Sequence, residues 1–280
     1  MLTAHDHDRA GAGLTYVYPV LSRRAGGVSL GINLNVNHAC NWRCIYCQVP
    51  GLKRGGPPPL DLDRLASELR GMLDAILNDD FLAREAPEGM RVLRDIALSG
   101  DGEPTSADEF DAAIARIGAV LDEFHRPDPL KLVLISNGSL THKTAVQDGL
   151  RRLAKLGGEV WFKIDRATTA GILAINDTHT DPARVRRNLA ACCAACPTRI
   201  QTCMFALDGA PPAEDEIAAY LELLADARRF AVPPRGVLLY GLARPSLQPE
   251  APRLSALPAA WLAALAERIG ALGYPVQVNA

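Results

Sequence analysis

The sequence predicts an α/β fold, a partial (β/α)6 TIM-like barrel of parallel strands. Six short apolar segments alternate with longer segments of helical periodicity over most of the 280 residues, which is typical of repeated βαβ units. No Pro- or Ser-rich linker interrupts this alternation. Glycine and polar residues follow most of the strands. An open doubly wound sheet would fit the strand count too, but barrels place functional groups at the carboxyl ends of their strands.

The elements follow in chain order from their apolar runs and periods. The six predicted strands are 29–35, 92–99, 130–136, 160–165, 200–206 and 236–242. The six predicted helices are 62–77, 107–124, 143–156, 182–195, 213–230 and 258–272, and the stretch 276–278 could pair at the sheet edge. Connections between consecutive parallel strands are right-handed crossovers. We divide the chain into an N-terminal lead segment, 1–28, and one barrel domain, 29–280.

Composition narrows the function classes. Lys and Arg number 30 against 32 Asp and Glu, a net charge of −2, which argues against a protein that mainly coats nucleic acid. No apolar run approaches the length needed to cross a bilayer. The first 13 residues lack the apolar core of a signal peptide. These features predict a soluble cytoplasmic protein, whose seven cysteines are reduced thiols, metal ligands or catalytic groups rather than disulfides.

Three of the cysteines lie in the loop after the first predicted strand. Cys40, Cys44 and Cys47 are separated by three residues and then by two, so a compact loop could direct all three sulphurs to one centre. Thiolates hold 4Fe–4S clusters, and three of them would leave one iron open. A structural zinc site is equally compatible with the spacing, with His38 or a distant cysteine as fourth ligand.

The wider context favours the cluster. The cysteine spacing, with Tyr46 directly before the last cysteine, resembles the signature of the radical S-adenosylmethionine (SAM) superfamily. Further stretches resemble its wyosine-synthetase-like branch, which modifies tRNA, and the resemblance covers residues 16–250. These stretches are Tyr18-Pro19-Val20 with Ser22-Arg23-Arg24, Ser29-Leu30-Gly31-Ile32, Gln48, residues 99–105 (SGDGEPT), Ser136-Asn137-Gly138, Lys163-Ile164-Asp165 and Arg244-Pro245-Ser246.

The resemblance implies that Cys40, Cys44 and Cys47 hold a 4Fe–4S cluster whose open iron binds SAM. Reductive cleavage of SAM would yield a 5′-deoxyadenosyl radical that abstracts hydrogen from the substrate, in this branch a tRNA base. Tyr46 would lie near the cluster or the adenine, and flavodoxin or ferredoxin would supply the electron. Wyosine synthetases that act on tRNA carry further cysteines upstream, and no cysteine precedes Cys40 here. A small metabolite or a peptide is therefore a second substrate class, and a non-enzymatic zinc-binding nucleic-acid module is the competing class.

Other candidate site residues follow the later strands. Gly100 and Gly102 would let the backbone approach SAM closely, and Glu103 would meet its amino group, as the family motif implies. The same stretch could also be a plain turn that caps the next helix. Asn137 could bind a ribose hydroxyl, or could simply be a turn residue before a glycine. Arg244 could contact the SAM carboxylate or an anionic substrate, or could be a surface arginine.

Lys163 and Asp165 are predicted to be catalytic. They share one face of the fourth predicted strand with Trp161, because side chains alternate along a strand. An unpaired lysine inside a barrel would be costly, so Lys163 should pair with a carboxylate or reach the ligand.

Two further groups are open to a functional interpretation. Cys192, Cys193, Cys196 and Cys203 could hold an auxiliary cluster, but ordinary buried core cysteines are the favoured interpretation. Arg23, Arg24, Lys53 and Arg54 bracket the cysteine loop and could contact a phosphate backbone, although small basic clusters are usually solvated.

Overall fold

The computed structural model describes residues 2, 13–22, 26–124 and 130–279. One eight-stranded sheet dominates it, and the strands lie side by side in chain order. They are β1 Val17–Ser22, β2 Gly27–Ile32, β3 Leu93–Leu98, β4 Lys131–Ser136, β5 Glu159–Lys163, β6 Thr198–Cys203, β7 Val237–Tyr240 and β8 Val276–Asn279. β1 is antiparallel to β2, and all the other neighbours are parallel. The sheet curls into a half-barrel, which confirms the predicted fold class.

Helices flank the sheet, and the longer ones supply the hydrophobic core on its outer face. The helices are α1 Leu62–Leu77, α2 Phe81–Glu85, α3 Phe110–Glu123, α4 Thr144–Lys155, α5 Thr169–Asn176, α6 Pro182–Ala195, α7 Glu214–Ala227 and α8 Ala259–Gly270. α1 shows why they form: Asp61 caps it by accepting from the Arg64 amide at 2.9 Å, and Leu65, Leu69 and Leu73 lie one turn apart in the core. No helix within the described ranges has the length and apolar character needed to cross a membrane.

The two faces of the sheet differ in polarity. On β5, Val160 and Phe162 join the apolar core under the helices, so Trp161 and Lys163 point to the inner face of the half-barrel. Gln201 on β6 lies beside Lys163 in the register. The inner face is therefore polar below its carboxyl rim, and the outer face supplies the hydrophobic core.

Among the strands and helices named above, three were not predicted. β1 lies within the predicted lead segment and pairs with β2 along its whole length, so residues 17–22 belong to the sheet. Where the domain begins stays a prediction. α2 and α5 are short helices inside predicted connections. The stretch 276–278 does pair at the sheet edge, as part of β8.

Candidate metal centre and cofactor site

The cysteine loop leaves the carboxyl end of β2 and folds back on itself. Ala39–Cys40 and Lys53–Arg54 form a two-stranded parallel ladder that closes it. His38 adopts a left-handed backbone (φ 57°), and its Nδ1 lies 3.0 Å from the Pro50 carbonyl oxygen. The three cysteines of this closed loop, Cys40, Cys44 and Cys47, are each partly exposed and free of disulfides.

The loop thiols form a donor set that suits a cluster. Burial raises the pKa of Cys40 to about 12 and that of Cys44 to about 11, and charge on the neighbouring loop thiols adds to the shift. Ligand binding must therefore displace protons from these thiols. Two N–H groups already point at sulphur: the Trp42 amide lies 3.5 Å from Cys40 Sγ, and Asn176 Nδ2 lies 3.3 Å from Cys44 Sγ. Such donors are typical around cluster sulphurs.

The zinc alternative receives no support from His38. Its Nδ1 faces the Pro50 carbonyl, and its Nε2 lies 3.7 Å from an Asp101 carboxylate oxygen. Both ring nitrogens are thus directed at oxygen atoms. Within the described ranges, no three His, Cys, Asp or Glu side chains, the three loop cysteines included, already converge as ligands of one metal ion, so the side chains must rearrange for zinc and for a cluster alike.

A buried polar network lies beside the cysteines. Asp165 follows β5 with a fully buried side chain, and its Oδ2 accepts from Tyr46 Oη and Asn176 Nδ2, both at 2.8 Å. Lys163 Nζ lies 3.1 Å from the same oxygen and 4.2 Å from the centre of the Tyr46 ring. The Cys203 amide donates to Asp165 Oδ1 at 3.0 Å. The structure thus joins three predicted site residues, Tyr46, Lys163 and Asp165, in one network.

Lys163 is held as a cation by its surroundings. Burial acts to lower its pKa, but the charge of Asp165 together with smaller contributions from Tyr240, Cys44 and Cys203 leaves the pKa above its ordinary value. A buried lysine beside a carboxylate stays protonated because the negative charge of the carboxylate stabilises the ammonium group. The predicted pairing of Lys163 with a carboxylate is therefore observed.

Glu103 connects the ends of two strands. Its Oε1 accepts from Ser136 Oγ at 2.7 Å and from Thr105 Oγ1 at 2.5 Å, and its Oε2 accepts from the Asn137 amide at 2.6 Å. Burial raises the pKa of Glu103, and these donors oppose the rise. The carboxylate is satisfied by the protein itself, so a contact between Glu103 and SAM stays a prediction.

Gly100 and Gly102 have a packing role. A Cβ on Gly100 would lie 2.3 Å from Asn33 Oδ1, and one on Gly102 would lie 2.1 Å from the Ala39 carbonyl oxygen. Only glycine lets this turn approach the start of the cysteine loop so closely. Whether the two glycines also approach SAM is untested.

Asn137 also contacts the cysteine loop. Its Nδ2 donates to Asn41 Oδ1 at 2.8 Å, and its Oδ1 accepts from the Ser139 amide at 3.0 Å. Arg244, the last predicted site residue, lies farther around the rim, where its Nη1 is 3.3 Å from Gln48 Oε1. Both residues are thus placed beside the loop, and their contacts with SAM stay predictions.

Several contacts that hold the loop were not predicted. After β7, Ser246 Oγ donates to the Ile45 carbonyl at 2.8 Å, and Gln248 Nε2 donates to the carbonyls of Cys47 at 3.2 Å and Val49 at 2.9 Å. The partners are about two hundred residues apart in sequence, so no local pattern reveals them. The Arg-Pro-Ser motif after the strand was the only signal.

A second unpredicted anchor comes from Arg43. Its guanidinium bonds both carboxylate oxygens of Glu250, at 2.9 and 2.8 Å, and Asp177 at 2.9 Å. Arg54 also pairs with Asp177, at 3.0 Å. Planar two-point pairing of this kind fixes orientation as well as distance. Arg23 and Arg24 lie outside the described residues.

The second cysteine group has a different environment. Cys192, Cys193 and Cys196 are buried in the main hydrophobic core, whereas Cys203 belongs to a smaller cluster with Ile45, Ile175 and Phe205. The four thiols therefore do not share one cavity.

No family model matches the chain. The GTPase Obg of Brachyspira hyodysenteriae is 29% identical over 136 residues, which cover 47% of this chain and 17% of that protein. A UPF0026 protein of Helicobacter pylori is 30% identical over 135 residues, which cover 48% of this chain and 38% of that protein. The chain thus spans less than half the length of these curated relatives. Its 280 residues contain no Gly-Lys pair, which the P-loop motif requires.

Solved structures resemble the chain over almost its whole length. A radical SAM methyltransferase from Sphaerobacter thermophilus matches with a TM-score of 0.56 and 16% identity, covering 94% of this chain and 68% of that one. The chain has a radical SAM fold. A cysteine-to-alanine mutant of spore photoproduct lyase matches this radical SAM fold with a TM-score of 0.57 and 13% identity, covering 93% and 78%. These matches do not distinguish the wyosine-synthetase-like branch, which stays a prediction.

Proposed function

We propose that the protein is a radical SAM enzyme with a 4Fe–4S cluster on Cys40, Cys44 and Cys47. One observation carries the proposal: these three thiols lie in one loop at the carboxyl rim of a half-barrel with the radical SAM fold. Barrels place their chemistry on that rim. A non-enzymatic zinc module would not need the polar network that surrounds the loop.

Cys40, Cys44 and Cys47 would hold the cluster, which would supply the one-electron chemistry for the reductive cleavage of SAM. The protein's own part is to hold the three thiolates and exclude water. Tyr46 closes the site from the side of β5, and the turn 100–103 closes it from the side of β3. Asn137 and Arg244 border the loop at two further strand ends, and both can donate hydrogen bonds to SAM.

Lys163 and Asp165 would act from the inner face. Asp165 is fully enclosed by its donors, so it orients Tyr46 and Lys163 rather than meeting the substrate itself. The Lys163 side chain retains 14% exposure and a raised pKa, so it can donate a hydrogen bond but cannot act as a base near neutral pH. Lys163 is therefore our candidate for contact with the substrate.

Two substrate classes follow. The resemblance to the wyosine-synthetase-like branch supports a tRNA base. A small metabolite or peptide is supported by the ion pairs beside the loop. Arg43 and Arg54 are already paired with Asp177, so their charge is partly neutralised and less available to bind phosphates. Contacts with phosphates make RNA binding steeply dependent on salt, so the affinity for tRNA measured across a salt series separates the two classes.

The activity is tested by anaerobic reconstitution with iron and sulphide, followed by dithionite and SAM. We expect 5′-deoxyadenosine from the wild type and none from Cys44→Ala. Cys193→Ala is the matched control, since it removes one thiol from the core and should keep the activity. Flavodoxin or ferredoxin, the proposed physiological electron donors, should replace dithionite in the same assay.

Equal loss in the two variants, or bound zinc without iron-dependent absorbance, would overturn the proposal. A cluster that forms without cleaving SAM in any condition, including with candidate substrates present, would contradict the activity but leave the metal site in place.

A further inference from the structure

The last turn of α5 holds the middle cysteine of the loop. The amide of Arg43 donates to the Asn176 carbonyl at 3.2 Å, and the amide of Ile45 donates to the Ile175 carbonyl at 2.9 Å. Cys44 lies between these two amides. The free carbonyl groups at the end of a helix need partners, and here the cysteine loop supplies them.

The side chain of Asn176 completes this attachment. It is almost fully buried, at 2% exposure, and its amide nitrogen lies 3.3 Å from Cys44 Sγ and 2.8 Å from Asp165 Oδ2. An asparagine amide has two N–H groups, and each has one acceptor here. The amide orientation is fixed by chemistry, because a flipped oxygen would face the Asp165 carboxylate.

α5 is anchored well enough to define this position. At its start, Glu216 of α7 accepts from the Ala167 amide at 2.6 Å and from Thr168 Oγ1 at 2.5 Å. At its end, Asp177 takes a left-handed backbone (φ 47°) and pairs with Arg43 and Arg54. Both ends are thus tied to other elements, and Asn176 cannot shift independently of the loop.

We propose that Asn176 is a positioning residue that directs Cys44 and donates an N–H···S hydrogen bond to it, setting the reduction potential of the cluster. This inference rests on the proposed function. A hydrogen bond to a cluster thiolate stabilises the more negative, reduced state. Asp165 holds the same amide, so Asn176 connects the Lys163–Tyr46 network to a cluster ligand.

The test is a redox titration of reconstituted Asn176→Ala and Asn176→Leu, without SAM, followed by electron paramagnetic resonance. We expect the equilibrium constant for reduction of the cluster to fall about tenfold. For a one-electron couple this makes the reduction potential about 59 mV more negative. Asn188→Ala is the matched control. Asn188 is also buried, but its Nδ2 donates to the Gly138 and Ser139 carbonyls and not to a cysteine sulphur, so its variant should keep the wild-type potential.

A second measurement uses wild-type protein, so its outcome does not depend on whether the Asn176 variants fold. Wild-type protein made with asparagine labelled with ¹⁵N in the side-chain amide should show hyperfine coupling to the reduced cluster in pulsed resonance. Unchanged potentials in both Asn176 variants, or no ¹⁵N coupling in the wild type, would overturn the inference. Wild-type protein that binds no cluster would instead overturn the proposed function.

Discussion

The two cysteine groups have similar numbers of thiols and opposite surroundings. The loop thiols lie at the rim and receive N–H groups at Cys40 and Cys44, and Asn137, Asp165 and Ser246, which follow three other strands, hold their loop. Cys192, Cys193 and Cys196 are buried among apolar side chains. Position at the rim and N–H donors directed at sulphur, rather than the number of cysteines, distinguish the loop thiols as candidate ligands.

The largest effect on stability is expected at Asp165. Asp165→Ala would leave Lys163 buried without its counter-charge, and breaking a buried ion pair in this way costs about 3–5 kcal/mol. Urea unfolding measures the change. Glu214→Ala, which breaks an exposed pair with Arg268, is the control and should leave the unfolding midpoint almost unchanged. Equal changes in the unfolding midpoint of the two variants would mean that the buried pair of Lys163 and Asp165 stabilises the protein no more than an exposed pair does.

Gly102→Ala tests the contact between the turn after β3 and the cysteine loop. Its Cβ would overlap the Ala39 carbonyl, so the loop must shift, at a cost of about 1–3 kcal/mol. Gly71→Ala is the control: it lies in α1 with open space around it and should stabilise by about 0.5–1 kcal/mol. Urea midpoints and iron content after reconstitution check both variants. A Gly102→Ala protein with wild-type stability and iron content would refute the contact.

Arg43→Lys should loosen the loop without unfolding the protein. Lysine keeps the charge but cannot bond Glu250 at two points and Asp177 at a third. We expect iron to be lost to a chelator several-fold faster. Arg70→Lys, which breaks a similar two-point pair with Glu123 on the outer surface, should not change that rate. If both variants lose iron at the wild-type rate, the Arg43 anchor is dispensable.

The smallest effect concerns the core thiols and pH. Burial raises the pKa of Cys196 from its ordinary 9.0 to about 12. Between these values the unfolded chain releases a proton that the folded chain keeps, so stability falls as the pH rises above 9. Cys196→Ala removes this contribution, up to about 1.4 kcal/mol per pH unit. Urea midpoints at about pH 8 and about pH 10 should fall less in the variant than in the wild type. An identical fall would show that Cys196 is not protected from ionisation.

Much of the fold is predictable because its signals are local. α1 begins and ends at the predicted residues, since Asp61 caps it and its leucines recur at helical spacing. α5 was missed because it has only eight residues and lies inside a connection. β1 was missed because it is an antiparallel edge strand that the alternation of parallel strands and helices does not require.

The site is only partly predictable. The cysteine spacing identifies the loop, and the side-chain alternation on β5 predicts that Lys163 and Asp165 share a face. The roles of Ser246, Gln248 and Asn176 depend on contacts between residues that are distant in sequence, and no local pattern encodes them.

The most direct test of the central claim is the iron content of all seven single cysteine-to-alanine variants after identical reconstitution. We predict about four irons per chain for the wild type and for the variants of Cys192, Cys193, Cys196 and Cys203. The variants of Cys40, Cys44 and Cys47 should lose the cluster. Loss of iron from any of the four core variants, in a protein that still folds, together with retention in a loop variant, would contradict the account.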